Sequence, residues 1–162
     1  MEILRQLFVS SGFSNVETFI ASGNVIFQSS EVNTAALEEQ IAVSLNKALG
    51  FEVATFIRTD AALARIPEDL PFSPGRLKAA AALNVAFVHK PLDDELVQRL
   101  MIRKTDIDTF AVQGREVYWL CLKKQSESKF SNAALEKTLG KPTTMRGINT
   151  IKKMVAKYEL TR

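Results

Sequence analysis

The sequence predicts an α+β protein made of two ferredoxin-like units, the first of which lacks its N-terminal strand. Short β-branched and apolar segments alternate with amphipathic helical segments along the whole chain. The two halves have nearly the same element order, and a segment rich in proline, residues 67–76, separates them. A chain of 162 residues with 46% hydrophobic and 24% charged residues is able to bury a core of this kind.

The first half predicts the order helix, strand, strand, helix, strand. Apolar residues at helical spacing with a closing glycine indicate each helix, and β-branched or aromatic residues between polar turns indicate each strand. Ser22-Gly23 beside Asn24 is a tight-turn signal that joins the first two strands into a hairpin. The predicted elements are a helix at 1–11, strands at 16–21 and 24–28, a helix between 33 and 50, and a strand at 53–58.

The second half predicts the order strand, helix, strand, strand, helix, strand, which is the ferredoxin-like motif, followed by one more helix. The elements are strands at 83–88, 107–112, 116–122 and 143–146, and helices opening at 93–95, 132 and 149. The first half fits the same motif with its inner strand absent. We therefore expect two domains, residues 1–76 and 77–162. The absent strand predicts either a chain shortened at its N-terminus or a Met1 that is an internal residue of a longer protein, and a homo-oligomer formed through the incomplete sheet is a further alternative.

Charge is distributed unevenly between the halves. Residues 1–76 hold 5 basic and 9 acidic residues, whereas residues 77–162 hold 16 and 9, so the net charges are −4 and +7. Beyond Leu120 there are 10 basic and 3 acidic residues. This basic half either attracts an anionic partner or is a solvated face that docks on the acidic half.

Several classes of protein are excluded by what the sequence lacks. Cys121 and His89 are its only cysteine and histidine, so an internal disulfide and the usual zinc, haem and iron–sulfur sites are excluded, and we expect no metal or cofactor. No glycine-rich phosphate loop occurs. No apolar run is long enough to cross a membrane, and the N-terminus does not resemble a signal peptide. We expect a cytoplasmic protein.

Three motifs resemble the bacterial family called domain of unknown function 1697. They are Gly12–Phe27, which reads GFSNVETFIASGNVIF, Ser128-Lys129-Phe130 with its following Leu-Glu and Leu-Gly pairs, and Thr144–Met154, which reads TMRGINTIKKM. The resemblance implies two packed ferredoxin-like α+β units and supplies no activity. Members usually begin with a further strand and a loop reading RGINVGG, and they carry an Asn-Trp pair where this chain has Gly147-Ile148.

Two groups of residues are candidates for binding an anion. Arg146, Asn149 and Thr150 lie at the start of the last helix, where a guanidinium and the positive end of the helix would gather a phosphate or carboxylate. Lys129 and Lys153 would join them if the family segments meet in space. The alternative is that Asn149 caps the helix and Arg146 pairs with a nearby acid.

The second group is Ser22 and Asn24, whose turn would present backbone N–H groups to an anion. The alternative is an ordinary hairpin tip, because such turns need no ligand.

Catalytic candidates are weak. His89 is the only base available to a nucleophilic triad, and no serine elbow accompanies it. Cys121 lies in an apolar strand, which predicts a buried, inert thiol. Tyr118 and Trp119 point to opposite faces of their strand, so one ring would be able to stack on a nucleic-acid base if it were exposed, although core packing is the default for both.

These observations favour a non-catalytic binding or interaction module whose anion-accepting site lies near the C-terminal helix. Two alternatives stay open. The first is an enzyme acting on a phosphorylated or carboxylated small molecule, held by Arg146 and Lys153, and the second is a nucleic-acid-binding protein.

Overall fold

The computed structural model describes residues 2–19 and 23–158 of the chain. These residues form an α+β fold with seven α-helices and six strands in two sheets. Contacts between residues divide the chain into a first unit, residues 1–59, and a second unit, residues 60–162. This division falls before the predicted boundary at residues 76 and 77, because the helix at Asp60–Arg65 packs against the last helix of the chain. The two predicted domains stay a prediction.

The first unit contains two strands and two helices. The elements are α1 (Glu2–Ser10), β1 (Ser14–Phe19), β2 (Asn24–Gln28) and α2 (Thr34–Leu49). β1 and β2 pair antiparallel, as the hairpin signal predicted. The sequence also marks both ends of α2, since the Asn33 side chain accepts a hydrogen bond from the N–H of Ala36 and Gly50 closes the helix at φ +82°.

The first unit has its own apolar core, which we call the first core. Its buried members are Phe8, Phe13, Val16, Leu37, Ile41 and Leu45. Phe27 of β2 packs on it, with its ring centroid 5.1 Å from that of Phe8 and 4.7 Å from that of Phe13. One side of the hairpin and both helices therefore share this core.

The strand predicted at residues 53–58 is wrong, because these residues form neither a helix nor a strand. Strand pairing requires a neighbour at hydrogen-bonding distance, and within the described residues β2 pairs with β1 alone. The buried carboxylate of Glu38 binds this segment instead. Oε2 of Glu38 accepts a hydrogen bond from the N–H of Ile57 at 2.9 Å and lies 3.8 Å from Nη1 of Arg58.

The second unit contains a four-stranded antiparallel sheet, and from its first strand onward its elements follow the predicted order. They are α3 (Asp60–Arg65), α4 (Pro74–Ala79), β3 (Ala82–Phe87), α5 (Asp94–Met101), β4 (Asp108–Gln113), β5 (Glu116–Cys121), α6 (Asn132–Leu139), β6 (Thr144–Gly147) and α7 (Ile148–Lys157). The strand order in the sheet is β4-β5-β3-β6. β3 is therefore an inner strand, antiparallel to both β5 and β6.

Both faces of the second sheet are buried. Ala86, Val117 and Trp119 belong to a core shared with α5 and α6. On the opposite face Val85 and Tyr118 are fully buried, in the sheet against which α7 packs. Strand alternation explains this arrangement, since neighbouring residues of a strand point to opposite faces.

The segment predicted as a linker, residues 67–76, is more ordered than expected. It begins in a short 3-10 helix at Ile66–Glu68 and ends in α4, whose first turn is capped by the Ser73 side chain. Two of its three prolines, Pro67 and Pro74, lie in the first turn of these helices, where a missing N–H group costs nothing. Among the helices that the structure describes, none is both long and apolar enough to span a membrane.

We expect Glu38→Ala to lower the free energy of unfolding by about 3 kcal/mol, because it leaves a buried guanidinium and a backbone N–H group without their carboxylate. Urea unfolding followed by circular dichroism measures this change. Glu39→Ala is the matched control, since Glu39 is exposed on the same helix and its loss should change stability by less than about 0.5 kcal/mol. Equal effects of the two substitutions would contradict the structural role of Glu38.

Candidate functional site

A cleft of about 520 Å³ lies in the second unit, between the entry into β3 and the junction of β6 with α7. Most of the apolar lining residues come from α4, from the residues that follow it and from the start of β3. The polar lining residues come from β3, α7 and a 3-10 helix at Gln125–Glu127. The lining residues are Leu70, Leu77, Ala80, Ala81, Ala82, Leu83, Asn84, Gln125, Gly147, Ile148, Asn149, Thr150 and Lys152.

Asn84 is the most deeply placed polar residue of the cleft. It is 6% exposed, although it lies in the middle of an otherwise apolar strand. Its Nδ2 donates a hydrogen bond to Oε1 of Gln125 at 3.2 Å. In the β3–β6 pairing Asn84 stands opposite Gly147, so its amide lies beside the start of α7. A Cβ at position 147 would sit 3.7 Å from Oδ1 of Asn84, which is ordinary contact.

The start of α7 faces the same cleft. The cap residue of this helix is Gly147, and no side chain caps the first turn. Asn149 and Thr150 occupy the second and third positions of the helix and line the cleft. The first N–H groups of a helix lack partners within the helix and carry a partial positive charge. The alternative that Asn149 caps this helix is therefore wrong, because Asn149 already lies inside it.

The charge of the cleft is positive. Lys152, which is exposed on α7, is the one charged residue among the described residues that line it, and no acidic residue lines it. An anion in the cleft would meet the helix N-terminus and one ammonium group. It would meet no carboxylate of the described lining, which is the arrangement that favours anion binding.

Arg146 does not line the cleft. Its Nη1 donates hydrogen bonds to Oγ1 of Thr144 at 2.8 Å and to the carbonyl oxygen of Met145 at 2.9 Å. Burial lowers the pKa of Arg146 below its ordinary value. The residue pairs with Val85, whereas Gly147 pairs with Asn84, so alternation turns Arg146 to the other face of the sheet from Asn84.

The other sequence candidates also lie outside the described lining of the cleft. Lys153 and Lys129 are exposed. Asn24 belongs to the first unit, where its Nδ2 donates to the carbonyl oxygen of Phe19 at 3.0 Å and closes the hairpin. Ser22 falls outside the described residues. Of the predicted site residues, the structure brings Asn149 and Thr150 together in the cleft.

Sequence reasoning missed Asn84, Gln125 and Lys152. A signal for Asn84 was present, because an amide in the middle of the apolar run at residues 83–88 is costly unless it finds a partner. No local pattern marks Gln125, since its role depends on a partner 41 residues away.

The motif Ser128-Lys129-Phe130 has a structural role centred on the buried carboxylate of Asp108. Oδ1 of Asp108 accepts hydrogen bonds from Nε1 of Trp119 and Oγ of Ser128, both at 2.8 Å. Burial alone would raise the pKa of Asp108, but hydrogen bonds from Trp119, Thr105 and Ser128 outweigh it and hold that pKa below its ordinary value. The ring of Phe130 packs edge-on to Trp119, with centroids 5.1 Å apart.

The aromatic rings of β5 do not form a stacking platform for nucleic-acid bases. Tyr118 is 0% exposed and Trp119 is 1% exposed. Burial also raises the pKa of the Tyr118 hydroxyl and of the Cys121 thiol. The prediction that Cys121 is a buried thiol is confirmed.

Comparisons with known proteins identify a family and a fold. The family model described as a protein of unknown function, DUF1697, matches residues 1–118. The solved structure of conserved bacterial protein SP0830 from Streptococcus pneumoniae is similar, with a TM-score of 0.75 and 22% sequence identity over 98% of this chain and 88% of that one. No curated protein is similar enough to carry an activity over to this chain. This chain therefore shares its α+β fold with a bacterial protein. The function of the cleft has to be inferred from the residues that line it.

We expect Asp108→Asn to lower the free energy of unfolding by about 2 kcal/mol at neutral pH, since the charge-assisted hydrogen bonds are lost. The folded pKa of Asp108 lies below the unfolded value of about 3.9, so its contribution is present above that value and is lost as the pH falls through the folded pKa. The difference between wild type and variant should therefore shrink in acid.

Urea unfolding at a series of pH values measures this difference. Asp106→Asn is the control, because Asp106 is exposed two residues away. A stability difference that stays constant down to about pH 2 would contradict the role of the Asp108 carboxylate.

Proposed function

The chain belongs to the DUF1697 family of proteins of unknown function, and from the geometry of its site we propose that it is a binding module for a small organic anion. The anionic group would lie at the start of α7, and an apolar body would lie against the residues between α4 and β3. The observation that carries this proposal is that the start of α7 has no side-chain cap and faces the cleft. The buried amide of Asn84 lies beside this helix start, and Lys152 is the one charged residue of the described lining.

The size and composition of the cleft support a small molecule. Its volume of about 520 Å³ lies within the range of about 300–1,000 Å³ that is usual for small-molecule sites. Hydrogen bonds from N–H groups to an anion contribute about 1.5–3 kcal/mol each, and the helix dipole adds about 0.3–1 kcal/mol. The apolar lining residues would bind an alkyl or ring portion of the ligand by excluding water from it.

The lining residues favour binding over catalysis. Within the described lining, Lys152 is the only titratable side chain, and no histidine, cysteine or carboxylate is present to serve as a base or nucleophile. The enzyme alternative would need a catalytic group from outside this set. Nucleic-acid binding has less support, because the rings of Tyr118 and Trp119 are buried.

We also propose that both units are ferredoxin-like. In the second unit, the sheet order β4-β5-β3-β6 and the two helices between the strands support this. In the first unit, α1, β1, β2 and α2 follow one another as α5, β4, β5 and α6 do in the second. The fold matters for the function because the inner position of β3 brings Asn84 to the start of α7.

Isothermal titration with hexanoate, hexyl phosphate and hexanol tests the proposed binding. We expect saturable binding of the two anions at the cleft and weaker binding of the neutral alcohol, which has the same alkyl chain and no charge. Lys152→Glu should weaken the binding of the anions about tenfold, because it replaces an attractive charge with a repulsive one.

Lys157→Glu is the matched control, since it makes the same change of net charge at the other end of α7. Equal losses in the two variants would show that only overall charge matters, and equal binding of hexanol and hexanoate would show that the helix start recognises no anion. If the protein binds only an oligonucleotide, and the affinity falls steeply as the salt concentration rises, the nucleic-acid alternative is favoured instead.

A further inference from the structure

The side-chain amide of Asn84 has a hydrogen-bond partner at one of its two polar atoms. Its Nδ2 donates to Oε1 of Gln125, whereas its Oδ1 accepts no hydrogen bond from the residues that the structure describes. The residue is buried, and it lines the cleft. Buried amide oxygens in proteins are normally hydrogen-bonded. A ligand in the cleft is therefore favoured if it supplies a donor to this oxygen.

The Oδ1 atom borders an open space at the start of α7. A Cβ added to Gly147 would lie 3.7 Å from Oδ1, and no other described atom lies within 4 Å of that position, apart from the chain neighbours of Gly147. Gly147 is the cap residue of α7 and lines the cleft together with Asn149 and Thr150. The open space thus adjoins the helix start, at which an anion would bind.

An anionic group alone does not complement this arrangement. The oxygens of a carboxylate are acceptors, as Oδ1 of Asn84 is, so the ligand must carry a hydrogen as well. A hydroxyl on the carbon next to the carboxylate is a small, neutral group that supplies it. An ammonium group at the same place would bring a positive charge close to the positive end of α7 and to Lys152, which is unfavourable.

We propose that the cleft selects 2-hydroxy carboxylates. The carboxylate lies at the start of α7, the hydroxyl donates to Oδ1 of Asn84, and the rest of the ligand contacts the apolar lining. This selectivity rests on the proposed function, because it requires that an anion binds at α7. Three separate contacts around one carbon atom also distinguish its two enantiomers, so one enantiomer binds more tightly than the other.

Isothermal titration of the full chain with hexanoate, 2-methoxyhexanoate and both enantiomers of 2-hydroxyhexanoate tests this selectivity. We expect one enantiomer of the hydroxy acid to bind about tenfold more tightly than hexanoate, because it satisfies the buried oxygen. The methyl ether keeps the ligand oxygen and loses the donor hydrogen. It should bind no more tightly than hexanoate.

Two variants of the cleft test the role of Oδ1. Asn84→Leu removes the acceptor, and Gly147→Ala fills the space beside it. In each variant the ratio of the dissociation constants of hexanoate and the preferred hydroxy acid should fall from about ten to about one. Alanine adopts the backbone of Gly147, at φ −66°, without strain, so this variant keeps the test valid if Asn84→Leu does not fold.

Asn46→Leu is the matched control for Asn84→Leu. Asn46 is exposed on α2 in the first unit, so its substitution should leave the ratio near the wild-type value of about ten. An unchanged ratio in Asn84→Leu would overturn the assignment of Oδ1. Tighter binding of the methyl ether than of hexanoate would overturn it too, because the amide would then act as a donor.

The titrations also separate this selectivity from the anion site on which it depends. If hexanoate binds and Lys152→Glu weakens its binding, but neither hydroxy acid binds more tightly than hexanoate, the selectivity is wrong and the anion site stands. Equal gains for the two enantiomers would likewise exclude a single fixed acceptor. If none of the acids binds, the anion site and its selectivity are both overturned.

Discussion

The inner position of β3 is the constraint on which the second unit depends. A buried strand must have its N–H and C=O groups bonded, because each one left without a partner costs about 1–3 kcal/mol. β3 meets this requirement by pairing with β5 on one side and β6 on the other. Since β6 runs antiparallel to β3, its last residue lies opposite Asn84, and α7 begins there. The place of the candidate site therefore follows from the pairing of β3.

Buried polar side chains fix the irregular segments around this framework. Glu38, Asn84 and Asp108 are each less than a tenth exposed, and each forms a hydrogen bond with a residue outside the strands and α-helices. The carboxylate of Glu38 accepts a hydrogen bond from the N–H group of Ile57. Asn84 donates a hydrogen bond to Gln125, and Asp108 accepts one from Ser128. The short 3-10 helix that forms part of the cleft wall is thus anchored at two points. Because this part of the cleft is ordered before a ligand binds, less conformational entropy is lost on binding.

Much of the fold could be predicted because its signals are local. Asn33 and Gly50 mark the ends of α2 through contacts within one or two turns, and Gly23 marks the hairpin in the same way. The candidate site was only partly predictable, because it depends on the register of distant strands. The sequence alone could place Asn149 and Thr150 at a helix start. It could not show that alternation turns Arg146 away from the face of Asn84, since that requires the pairing of β6 with β3.

The segment at residues 53–58 shows why strand propensity is a weak predictor by itself. Its sequence, VATFIR, has the β-branched and aromatic composition of a strand, whereas β6, TMRG, has much less of it. Yet β6 is a strand and residues 53–58 are not. The difference lies in the neighbour, because β3 offers β6 an edge to pair with and no described strand does so for residues 53–58. In the first unit the N–H group of Ile57 donates to Glu38 instead. The conformation of residues 53–58 therefore depends more on the groups that lie next to the segment than on the strand propensity of its own residues.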